Sequence, residues 1–115
     1  MLLALFAGIH VSDYRAAMEW YTRLLGGEPS LLPNASEAVW ELAESRLIYI
    51  NVHPESAGHS VVTIVVDDLD ERVARIAERG IDPVRQDTYD NGVRKVLYRD
   101  PDGNEIGFGE VPPVL

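Results

Sequence analysis

The chain contains no cysteine, which removes disulfides, a thiol nucleophile and thiolate metal ligation together. It has no apolar run approaching the roughly 18 residues that a membrane span needs. Basic residues are scarce: ten Lys and Arg stand against 19 Asp and Glu, a net charge of −9. That shortage argues against nucleic acid, whose binding rests on Lys and Arg neutralising phosphates. An acidic balance favours cationic ligands where the charges sit near a cleft, and elsewhere it serves solubility. The opening Met1–Ala7 lacks a basic region and runs straight into a patterned strand. No signal peptide is expected, and the cytoplasm is the expected location. No Ser/His/Asp nucleophile arrangement, phosphate loop or dinucleotide fingerprint is present.

What is present suits a soluble globular fold. A length of 115 residues with 46% hydrophobic and 25% charged residues is expected to form a single domain over 1–115, with one core shared by two small halves. Leu3 to Val11 reads as a strand, with Leu5, Ala7, Ile9 and Val11 on one face and Phe6, Gly8 and His10 on the other. Ser12 and Asp13 are N-cap candidates for a helix whose Tyr14, Ala17, Met18, Tyr21, Leu24 and Leu25 form one stripe. Gly26 and Gly27 end it, with Pro29 beyond. Three short strands follow, around Glu28–Leu32, Ala38–Ala43 and Leu47–Val52, and then a polar connector from His53 to His59.

The pattern then returns. Ser60–Val66 reads as a strand, and Asp68-Leu69-Asp70-Glu71 has the form of a capping box. Leu69, Val73, Ile76 and Ala77 lie along a helix ending at Gly80. Strands follow from Asp82, over Val93–Arg99 and over Glu105–Val111. Between the last two, Asp100-Pro101-Asp102-Gly103-Asn104 is dense in turn formers and predicts a hairpin. Val11-Ser12-Asp13 precedes Val66-Asp67-Asp68 by 55 residues, and Gly26, Glu28 and Pro29 precede Gly80, Asp82 and Pro83 by 54. The chain is therefore read as two copies of β-α-β-β-β, about 1–53 and about 59–115. The fold class is α+β, with the two modules forming a curved mixed sheet around a cleft. Each sheet covers one face with its own helix and leaves the other face open. Phe6, Gly8, His10, Val61, Thr63, Val65, Gly107 and Gly109 are expected on the open faces, where glycine and threonine leave room for a ligand or a partner chain.

This duplicated unit, the Val11-Ser12-Asp13-Tyr14…Trp20-Tyr21…Leu25-Gly26 start and the Asp100–Asn104 hairpin resemble the glyoxalase/bleomycin-resistance/dioxygenase superfamily, also called vicinal oxygen chelate. The resemblance spans nearly the whole chain. It implies metal ligands seven residues before each helix-capping Asp, which here are Phe6 and Val61. It implies another after the hairpin, here Gly107, and a fourth at Ile48 or Tyr49. None of these can ligate as a His or carboxylate would, so no metal and no cofactor is expected.

Other candidates carry less chemistry. His10 could serve as a base or hydrogen-bond donor, against the plainer reading of a strand-end histidine bonded to solvent or backbone. His53, Glu55 and His59 share one connector with no scaffold to fix a metal geometry. Asp67, Asp68, Asp70 and Glu71 suit a helix N-terminus for its own stability. Phe6, Trp40, Tyr49 and Tyr98 are split between core packing and stacking on a planar ligand. The function expected is metal-free sequestration, of the bleomycin-resistance type, of a hydrophobic or aromatic ligand, cationic ligands included. Its expected contacts are Phe6, Gly8, His10, Trp40, Tyr49, Val61, Thr63, Tyr98 and Gly107. The resemblance implies a homodimer with the ligand between chains. The alternative is a lyase, isomerase or dioxygenase with a non-standard metal site or a metal-independent mechanism.

Overall fold

Asp13 opens the first helix because its side chain accepts the Ala16 amide at 3.0 Å, satisfying one of the donors a helix start leaves free. Gly26 closes that helix in the left-handed conformation at φ 85°, its amide returning to the Thr22 carbonyl. A computed structural model describes residues 1–113 and places this helix, α1 (Tyr14–Leu25), after strand β1 (Leu5–Val11). Strands β2 (Leu31–Asn34), β3 (Glu37–Ala43) and β4 (Arg46–Val52) complete the first module. A short 3-10 turn, Pro54–Ser56, leads to the second. That module comprises β5 (Val61–Val65), α2 (Leu69–Glu78), β6 (Arg85–Thr88), β7 (Arg94–Arg99) and β8 (Glu105–Glu110).

The two sheets have the same topology, β1-β4-β3-β2 and β5-β8-β7-β6. The β1·β4 and β5·β8 pairs are parallel, and the others antiparallel. The result is α+β with two four-stranded mixed sheets, as the duplicated pattern predicts, and the sheets do not close into a barrel. No helix among the described residues is long and apolar enough to cross a membrane.

Several boundaries differ from the sequence reading. The first strand begins at Leu5 rather than Leu3, and β2 begins at Leu31 rather than Glu28; Pro29 has no N–H to give a ladder. The strand expected from Asp82 begins at Arg85. The capping box on α2 is not formed. Asp68 turns instead to Arg72 at 3.2 Å, Glu71 pairs with Arg75, and the Leu69 amide donates to Glu110 of β8 at 3.1 Å.

The modules share one core on their helix sides. Ile9, Val11, Tyr21, Trp40, Ile48 and Ile50 of the first meet Leu69, Ile76, Val96, Tyr98, Ile106 and Phe108 of the second. The hairpin after β7 clasps them. Asn104, fully buried, donates from its side-chain amide to the His10 carbonyl and to Asp100, both at 2.8 Å, and accepts the Ser60 amide at 2.9 Å. Asp100 also accepts the Tyr21 hydroxyl at 2.7 Å and the Asp102 and Asn104 amides at 2.9 Å. Asp102 reaches across to the Ser12 amide at 3.0 Å and to its hydroxyl. At the far end of α2, the Arg79 guanidinium donates to the Leu24 carbonyl at 3.2 Å and to that of Arg23, where the C-terminal end of α1 is negative.

Candidate functional site

Both helices and the shared core occupy one side of the sheets, so the opposite sides carry no helix, although Val39 and Leu97 on them are buried. On the first module Phe6, Gly8 and His10 stand beside Leu47, Tyr49 and Asn51 of β4. The Tyr49 ring lies over Gly8; a Cβ there would come within 2.7 Å of the phenol end, so glycine is what admits the ring. Phe6 meets Tyr49 edge-on at 6.3 Å, and His10 stacks on His53 at 4.9 Å between ring centres. On the second module Val61, Thr63 and Val65 neighbour Glu105, Gly107 and Gly109, with Arg99, Leu97 and Lys95 next across the sheet. A Cβ at Gly107 would sit 2.8 Å from Lys95 Cε. Phe6 is 52%, Val61 67% and Val65 66% exposed.

Two expected contacts lie elsewhere. Trp40 is on the helix side of β3, buried, with its indole N–H donating to the Gly27 carbonyl at 2.9 Å. Tyr98 is on the helix side of β7, buried edge-on against Phe108 at 5.9 Å. Burial raises the Tyr98 phenol pKa, with Asp82 adding to the shift and Arg79 opposing it. Its oxygen has no hydrogen-bond partner among the described residues. The register explains the difference: Trp40 pairs with buried Ile48, and Tyr98 with buried Ile106. The expected common cleft is also not closed within one chain. A cavity of about 870 Å³ does lie between the modules, but mainly helix-side residues line it, including Ala7, Leu25, Ile48, Val62, Ile64 and Phe108. Of the open-face residues, Leu47, Thr63 and Val65 reach it, and Phe6, Gly8, His10, Val61, Gly107 and Gly109 do not.

The donor chemistry does not fit a divalent metal. At the positions where the resemblance puts ligands stand a phenyl ring, an isopropyl group and a glycine, and no group of three His, Asp or Glu side chains converges among the described residues. His53, Glu55 and His59 accordingly form no such group. The acidic residues before α2 serve the fold. Arg94 bonds Asp70 at 2.9 Å and Glu110 at 2.8 Å, holding both carboxyls below their ordinary pKa values. Sequence reasoning missed Lys95. Its alternation with Leu97 and Arg99 places it on the same face as Gly107, whereas Tyr98 belongs to the other set.

The profile of the Glyoxalase/Bleomycin resistance protein/Dioxygenase superfamily matches residues 4–108. Among solved structures, the glyoxalase/bleomycin resistance protein from Catenulispora acidiphila DSM 44928 is 55% identical, with a TM-score of 0.93 over 96% of this chain and 100% of that one. A lactoylglutathione lyase from Agrobacterium tumefaciens is 20% identical, with a TM-score of 0.77 over 92% and 91%. A bleomycin-binding protein complexed with bleomycin is 17% identical, with a TM-score of 0.76 over 94% and 98%. These last two likenesses concern the fold alone. No curated protein matches the chain in sequence.

Proposed function

Because the chain belongs to the Glyoxalase/Bleomycin resistance protein/Dioxygenase superfamily, we propose that it is a single-domain, metal-free binder of small apolar or aromatic molecules, of the kind that sequesters a drug. The observation that carries this reading is the make-up of the open faces. Where the resemblance implies metal ligands, the chain presents Phe6, Val61 and Gly107, and Phe6 is flanked by Tyr49, whose ring lies over a glycine. Aromatic edges and exposed aliphatic groups recover transfer free energy when a ring covers them, roughly 25 cal/mol per Å². Sequestration requires affinity alone, so it survives a face without ion-gripping groups. That a bleomycin-binding protein 17% identical to this chain has the same fold and was solved with bleomycin supports a binding role.

The ligand lies between two copies of the chain. One copy leaves Phe6, Val61 and Val65 more than half exposed, whereas a small-molecule site buries most of its ligand. Phe6, Gly8, His10, Tyr49, Val61, Thr63 and Gly107 supply the contacts, with Trp40 and Tyr98 stiffening the sheets from behind. A thermal-shift screen of small aromatic compounds and antibiotics tests the reading, because a ligand that binds only the native state raises Tm by mass action. Zn²⁺, Ni²⁺ and Mn²⁺ should leave Tm unchanged. Stoichiometric metal in the purified protein, with turnover that depends on it, would establish the enzymatic alternative.

A further inference from the structure

Lys95 is the one lysine of the chain; the other nine basic residues are arginines. It stands on the open face of the second module, in β7. Its stem runs back over Gly107, whose missing side chain makes the room: a Cβ there would lie 2.8 Å from Lys95 Cε and 3.7 Å from Nζ. The stem is thereby laid along the sheet, and the residue is partly buried. Its surroundings are Val65, Thr63 and Leu97, the cross-strand and same-face neighbours of Gly109 and Gly107.

No ion pair among the described residues uses this ammonium. Asp87, directly opposite on β6, is taken by Arg85 at 2.9 Å, and Glu105 is taken by Arg99 at 3.3 Å. The face thus holds three cations and two carboxylates, both carboxylates already engaged. A cation held against apolar groups loses hydration and gains most from a counter-charge arriving there. The chain's overall charge of −9 acts differently. It is spread over the surface and screened beyond about 8 Å at physiological salt, whereas Lys95 acts at contact.

We propose that Lys95 anchors the ligand by an anionic group, so that the ligand is a ring-bearing anion with its hydrocarbon body on Val61 and Val65, which are exposed beside it. This rests on the open face being the ligand site. It reverses the cationic preference that net charge alone suggests.

Three probes of one shape and different charge test it: 2-naphthoate, 2-naphthamide and 2-naphthylmethylammonium, titrated calorimetrically into the full chain, Lys95→Met and Lys95→Arg. 2-Naphthoate should bind best. Lys95→Met, of similar length and still able to cover Gly107, should weaken it about tenfold while changing 2-naphthamide less than about twofold, and Lys95→Arg should retain most of the affinity. The preference for the anion should shrink in about 1 M salt, where the screening length is about 3 Å. After reductive ¹³C-methylation, the single lysine resonance should move with 2-naphthoate and stay put with 2-naphthamide. Lysine-independent binding of 2-naphthoate, or a preference for the ammonium probe, overturns the anchor while the ligand face stands. Failure of all three probes to bind overturns both.

Discussion

Asn104 shows how one side chain can hold two modules in register. It is fully buried, and its side-chain amide spends both groups on partners from three segments: His10, Ser60 and Asp100. Replacing it with alanine removes three hydrogen bonds, two of them to part-buried backbone groups, each worth about 0.5–1.5 kcal/mol net. Asn104→Ala should therefore lower Tm by more than about 5 °C at the 4–8 °C per kcal/mol usual for a small domain. Tyr21→Phe removes one of four donors to Asp100 and should cost about 1–2 kcal/mol. Equal melting of Asn104→Ala and wild type in calorimetry would deny the clasp. The turn was legible from Asp100-Pro101-Asp102-Gly103-Asn104, because turn chemistry is local. Its partners were not, because Ser12, Tyr21 and His10 lie about 80 to 90 residues away in the chain.

At the level of single elements, alternation gave the two faces of each strand but left open which face the helices cover. On β3 and β7 both sets are apolar: Ala38 and Trp40 against Val39, and Val96 and Tyr98 against Leu97. Periodicity therefore could not assign Trp40 or Tyr98. The start of α2 departs from its local motif for a tertiary reason. Glu110, brought beside it by β8, accepts the Leu69 amide, while Arg94 ties Glu110 and Asp70 together. The arginine hydrogen bond is the larger cause of the lowered Glu110 pKa, followed by that amide. A depressed folded pKa means stability that is fully present above the ordinary value of 4.5 and is lost as pH falls through the folded value. Asp70 carries the same sign, its pKa lowered by the same arginine. Tm should hold steady above about pH 5 and decline below it. Arg94→Gln should melt lower than wild type at neutral pH and converge with it in acid. Parallel melting curves across that range would show that the Arg94 pairs contribute nothing.

For the molecule as a whole, the question is what covers the open faces. The chain measures 46 × 37 × 25 Å with a radius of gyration of 14.4 Å, against about 13 Å for a compact domain of this length. It is a flattened body whose sheets are built on one shared core and carry no helix on the other side. Strands β1 and β5 are sheet edges with no strand beyond them, and exposed edges beside exposed Leu5, Phe6, Val61 and Val65 invite pairing with another chain. The internal duplication supplies a geometry for it. Two copies related by a two-fold axis can set the first module of one against the second module of the other, twice over, and each contact is repeated. Sedimentation at micromolar concentration should therefore give about twice the 12.8 kDa chain mass. Val61→Glu with Val65→Glu places charge on the face without touching the core, so it should halve that mass while leaving the circular dichroism spectrum intact. If the ligand is held between copies, the same variant should lose the ligand-induced rise in Tm. A wild-type monomer that still binds aromatic ligands would mean that each half-site works alone, and the covering layer would then be solvent.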